Sequence, residues 1–111
     1  MPITKTSNYD IFYIDEGDGF PVFLIHGLAG DHKAWLDQIE FFKGSYRVIA
    51  VDNPGSGNSS PVPNPCTTQD LANTMLEVME NLSIDKAHIV GRSLGGFIGQ
   101  WMVNIRPEFI K

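Results

Sequence analysis

Lys86-Ala87-His88-Ile89-Val90-Gly91-Arg92-Ser93-Leu94-Gly95-Gly96 is an apolar run that breaks into a serine set among glycines. A short apolar run bounded by glycine reads as a buried strand. Beyond the serine, Phe97, Ile98, Trp101, Met102 and Ile105 recur at helical spacing until Pro107, so Ser93 occupies a strand-to-helix turn. Such a turn is very sharp, and glycine at Gly91 and Gly95 removes β-carbons that would collide with neighbouring backbone. Ser93 is then expected to hold a strained dihedral with its hydroxyl projecting into a cleft. A helix starting at Leu94 aims its free N–H groups at the same space, where a developing oxyanion would sit. The string Gly-x-Ser-x-Gly is a weak signal by itself, because glycine-serine clusters are also ordinary turns.

Two further runs strengthen the reading. Pro21-Val22-Phe23-Leu24-Ile25 ends in His26-Gly27-Leu28-Ala29-Gly30-Asp31, and Arg47-Val48-Ile49-Ala50-Val51 ends in Asp52-Asn53-Pro54-Gly55-Ser56-Gly57-Asn58-Ser59. Both are continuous apolar strands of the kind buried on two faces, each leaving the sheet through a glycine-bearing loop. The loop after Val51 is not a dinucleotide site: it runs on into proline-rich coil instead of opening a helix, and it lacks a third glycine. No cofactor is expected.

The order His26-Gly27-Leu28, then Asp52-x-x-Gly55-x-Gly57-x-Ser59, then Gly91-x-Ser93-x-Gly95-Gly96 resembles the α/β-hydrolase family, in its serine-nucleophile esterase and lactonase branch. The resemblance covers nearly the whole chain. It implies an α/β fold with a mainly parallel sheet and crossover helices on both faces. It also implies a nucleophilic role for Ser93 and an oxyanion hole from the N–H groups of Leu28 and Leu94. His26, Gly27, Asp52, Gly55, Gly57, Gly91, Gly95 and Gly96 become structural members of the motifs. Because the nucleophile position is serine, where epoxide- and halide-cleaving relatives carry a carboxylate, acyl chemistry is implied: esters, lactones, thioesters or carbon–carbon bonds beside a ketone. Arg92 either attracts an anionic substrate or packs behind the turn.

A serine hydroxyl needs a histidine to take its proton and an acid to orient that histidine, in the chain order serine, acid, histidine. After Ser93 the sequence contains Glu108 and no histidine. Residues 1–111 are therefore expected to be an incomplete domain, the N-terminal part of the fold, inactive alone. The alternative is a non-catalytic module that self-associates through an open sheet edge beside Ser93. Among the upstream histidines, His26 is expected to shape its loop and His88 to lie on the strand behind the serine. His32, ordinarily a surface residue at this position, is the one worth testing as a substitute base.

The remaining chain alternates strand and helix. Ile3 to Thr6 is expected as an edge strand, and Tyr9 to Asp15 as an antiparallel neighbour of Val22 to Ile25 across the turn Glu16-Gly17-Asp18-Gly19. Asp31 caps a helix through about Lys43, with Trp35, Ile39 and Phe42 on one face. Thr67-Thr68-Gln69-Asp70 reads as a capping box for a helix carrying Leu71, Met75, Val78, Met79 and Leu82.

With 111 residues, 42% of them hydrophobic, the chain makes one domain at most. A net charge of −5, spread without a basic stripe, argues against a nucleic-acid partner and leaves a small-molecule acyl substrate. The single cysteine, Cys66, allows no internal disulfide, and no metal constellation stands out. No apolar run approaches membrane-spanning length and no leader opens the chain, so a cytoplasmic protein is expected.

Overall fold

The computed structural model describes residues 2–27, 30–59 and 67–111. Among these, β1 (Ile3–Lys5), β2 (Asp10–Glu16), β3 (Pro21–Ile25), β4 (Arg47–Val51) and β5 (His88–Gly91) form one sheet in the order β1-β2-β4-β3-β5. The strands β4, β3 and β5 are parallel, and β2 and β1 continue the sheet antiparallel. The helices are α1 (Leu36–Phe42), α2 (Thr68–Asn81) and α3 (Leu94–Ile105). Asp31 accepts the Lys33 N–H at 2.9 Å as expected of a cap, but the first turn it caps, His32–Trp35, is a 3-10 helix.

Strand periodicity sorts the core into two layers. Phe23, Ile25, Ile49 and Val51 face α2 and α3 and meet Leu71, Met75, Met79, Ile98 and Met102. Val22, Leu24, Val48 and Ala50 face the other way, against Trp35 and Ile39 on the α1 side. Helices thus cover both faces, which is why β3 and β4 are apolar without alternation.

The expected pairing of β2 with β3 is overturned: β4 lies between them, antiparallel to β2 and parallel to β3. The crossover through α1 returns the chain parallel to β3, on the side facing β2. The 17–20 connection makes room for it. Gly17 and Gly19 adopt φ of +85° and +122°, and added β-carbons would strike the carbonyls of Tyr46 and Ser45 respectively. Arg47 N–H donates to the Phe20 carbonyl at 3.2 Å, so the turn runs past the start of β4 instead of folding back as a hairpin. Flanked on both edges, Val48, Ile49, Ala50 and Val51 are fully buried.

Beside β5, Ile110 makes a parallel bridge with Ala87. Ala87 donates to the Phe109 carbonyl at 2.9 Å and accepts from Lys111 at 3.0 Å. The edge expected to be open is thus engaged at Ala87, just before β5 begins.

Candidate active site

The chain leaves β5 at Gly91 and enters α3 at Leu94, with Ser93 at φ 54° and ψ −114°. For a non-glycine residue this backbone is strained, and surrounding contacts hold it. Arg92 N–H donates to the Ile25 carbonyl at 3.1 Å, Gly95 N–H to the Arg92 carbonyl at 2.9 Å, and Gly96 N–H to the Ser93 carbonyl at 2.9 Å. A β-carbon on Gly91 would run into the Gly95 backbone, and one on Gly95 into the Ile25 carbonyl. At Gly96 the nearest atom would stand off at 3.6 Å, so that glycine is not required by space. Ser93 and Arg92 are both exposed, and no ion pair involves Arg92 among the described residues.

Leu94 is the first residue of α3, so its N–H belongs to the unpaired first turn beside the Ser93 hydroxyl. The loop from β3 arrives at the same place: a β-carbon on Gly27 would lie 3.2 Å from the Arg92 carbonyl and 3.3 Å from Ser93 Cβ. Leu28, the other expected oxyanion donor, lies outside the described residues, as does Cys66.

His26 is fully buried. Its Nε2 accepts the Asn53 backbone N–H at 2.9 Å, and an amide N–H can only donate, so the ring proton sits on Nδ1. Nδ1–H donates to the Gly27 carbonyl at 2.7 Å. Both ring nitrogens are therefore engaged by backbone groups, of Gly27 and Asn53. His88, half-buried at the start of β5, places its ring 5.0 Å from that of Phe20, at the opposite end of the strand from Ser93.

His32 departs from its surface reading. It is 9% exposed, its ring lies 5.0 Å from that of Phe12, and its Nδ1–H donates to Asp52 Oδ1 at 2.8 Å. Its backbone N–H donates to the same oxygen at 2.7 Å. Asp52 stands at the end of β4 and Phe12 on β2, so β3 separates this pair from the β5 turn by two strand spacings, roughly 10 Å. A direct proton relay from Ser93 to His32 does not fit that placement.

Asp52 is the hub of its own loop. Oδ2 accepts the Asn58 N–H at 2.9 Å, and Gly57, at φ +51°, lies so close that a β-carbon would overlap the carboxylate. Gly55 also takes a positive φ, 83°. Ser59 Oγ donates to the Asp52 carbonyl at 2.6 Å and accepts the Phe12 N–H at 2.9 Å. Asp31, His32 and Asp52 each offer a ligand atom within 4.8 Å of the others. Capping and the three N–H donors on Asp52 account for that grouping without an ion. Sequence reasoning missed the His32–Asp52 and His26–Asn53 contacts; they join residues 20 and 27 positions apart, and no local pattern encodes them.

Strand order and turn geometry define the class, a mainly parallel α/β sheet with a serine on the sharp turn from β5 into α3. The chain belongs to the alpha/beta hydrolase fold family, whose sequence model matches residues 21–111. It is 33% identical over 113 residues to (E)-2-((N-methylformamido)methylene)succinate hydrolase of Acinetobacter baylyi, an alignment spanning 98% of this chain and 43% of that protein. It is 36% identical over 77 residues to 3-oxoadipate enol-lactonase 1 of the same organism, spanning 69% of this chain and 29% of the relative. Among solved structures, Est816, described as an N-acyl homoserine lactone degrading enzyme, superposes with a TM-score of 0.94 at 26% identity, over 98% of this chain and 42% of its own. These relatives are hydrolases of small molecules, and the chain spans less than half the length of each. No helix among the described residues is long and apolar enough to cross a membrane.

Proposed function

We propose that this chain supplies the nucleophile and oxyanion hole of a serine hydrolase acting on an ester, lactone or related acyl compound. The observation that carries the reading is the Ser93 backbone, at φ 54° and ψ −114°, held with Gly27 and the start of α3 against it. Ser93 Oγ attacks the acyl carbon as its proton passes to a histidine. The resulting oxyanion accepts hydrogen bonds from the N–H groups of Leu94 and, by the family resemblance, Leu28. Collapse expels the alcohol, which takes the proton, and water then releases the acyl group by the same steps in reverse order. His26 and His32 are engaged elsewhere and His88 lies at the far end of β5, so none of these three is placed to act as that base.

Hydrolysis of an activated aryl ester and of a lactone by the native polypeptide carrying this sequence tests the reading. Ser93→Ala is expected to lower kcat by at least about 1,000-fold. Undiminished hydrolysis in that variant overturns it.

A further inference from the structure

Adjacent residues at the end of β4 hold His26 and His32, which stand on either side of the loop that begins with Gly27 beside Ser93. On the entry side, Asn53 N–H donates to His26 Nε2 at 2.9 Å and Asn53 Nδ2 to the His26 carbonyl at 3.2 Å. On the exit side, Asp52 Oδ1 takes both the backbone N–H and the ring Nδ1–H of His32, at 2.7 and 2.8 Å. Between the two grips run residues 27–31, beginning with the Gly27 that lies against Arg92 and Ser93.

We propose that Asp52 and Asn53 act as a clamp that sets His26 and Gly27 against Ser93, with His32 as a positioning residue for hydrolysis; this rests on the serine-hydrolase reading. Four features favour such a device over simple loop packing. The anchor is itself immobile, since Asp52 donates through its N–H to the Phe12 carbonyl at 3.0 Å and is bound at its carbonyl by Ser59 and at Oδ2 by Asn58. All four residues of the clamp are buried: His26 and Asp52 at 0%, Asn53 at 2% and His32 at 9% exposure. The His32 backbone N–H alone would satisfy Oδ1; the ring N–H adds a second point of attachment and fixes the orientation of the loop exit, where one bond would leave it free to pivot. Asn53 also keeps its Oδ1 buried with no partner among the described residues, a cost consistent with its amide being held by what Nδ2 does. Small displacements of preorganised donors cost rate without costing substrate binding.

The test uses the native polypeptide, an activated aryl ester, and a boronic acid whose serine adduct places an oxygen where the oxyanion forms. His32→Phe keeps a ring against Phe12 and removes the Nδ1 donor. It is expected to lower kcat and boronate affinity together by about 10- to 100-fold, with KM within about twofold. His32→Asn, whose Nδ2 can stand in for Nδ1–H, is expected to restore both. If His32→Phe does not fold, His32→Ala is read in its place. A donor-less variant within about twofold of wild type in kcat and boronate affinity overturns the clamp, as does failure of His32→Asn to restore them. If Ser93→Ala abolishes hydrolysis in either case, the hydrolase reading survives. Hydrolysis that persists in Ser93→Ala brings down both.

Discussion

Gly95 and Gly96 are neighbours in one helical turn, and their surroundings differ. Gly95 is pressed on the Ile25 carbonyl at the end of β3, whereas the nearest atom to a β-carbon on Gly96 would be 3.6 Å away. Gly95→Ala is therefore expected to destabilise the fold by about 3 kcal/mol or more, because backbone on two elements would have to separate. Gly96→Ala is expected to be neutral or to stabilise by about 0.5–1 kcal/mol, through the ordinary preference of a helix for alanine. Urea denaturation of the pair measures both, and equal losses would contradict the close-approach account of this turn. The glycine spacing announced the turn in the sequence, but which glycines space requires is a property of what packs against each.

At the scale of elements, α2 shows how much a local signal can carry. Thr67 Oγ1 accepts the Asp70 N–H at 3.1 Å and Asp70 Oδ2 accepts the Thr67 N–H at 3.0 Å, the reciprocal capping expected from Thr-x-x-Asp. Met75, Val78 and Met79 are fully buried on the face that the spacing predicts. Thr67→Ala is expected to cost about 1 kcal/mol, seen as a lower urea midpoint together with faster hydrogen exchange at the Asp70 amide. The partner of β2 was not legible in the same way. Its alternation is compatible with either β3 or β4 as neighbour, and only the crossover through α1, closing over the Gly17–Gly19 turn, selects β4. Arg47 strengthens that choice: it meets the Asp15 carboxylate through Nε at 3.0 Å and Nη2 at 2.7 Å, which also holds its guanidinium charged above the usual arginine range.

For the whole molecule, the two faces of the sheet are unequally covered near β5. On the α1 side, Val90 is 41% exposed in an apolar recess lined by Val22, Phe42, Tyr46 and Ile110. The backbone edge there is bridged at Ala87 and Ile110. An uncovered apolar recess beside a strand edge favours association. The 111-residue polypeptide is thus expected to self-associate, and Val90→Lys to shift it toward monomer in sedimentation velocity; an unchanged distribution would locate the contact elsewhere. Hydrophobic patterning and glycine placement by themselves determined that this chain makes an α/β sheet, where its helices lie, and which serine sits on the strand-to-helix turn, because those features depend on residues within a few positions of one another. The tertiary structure decided the strand order, the burial of His32 and the contacts of Asp52 with His32 and of Asn53 with His26. Such contacts join chain segments tens of residues apart, and they exist only once the crossover has brought the end of β4 beside that of β3.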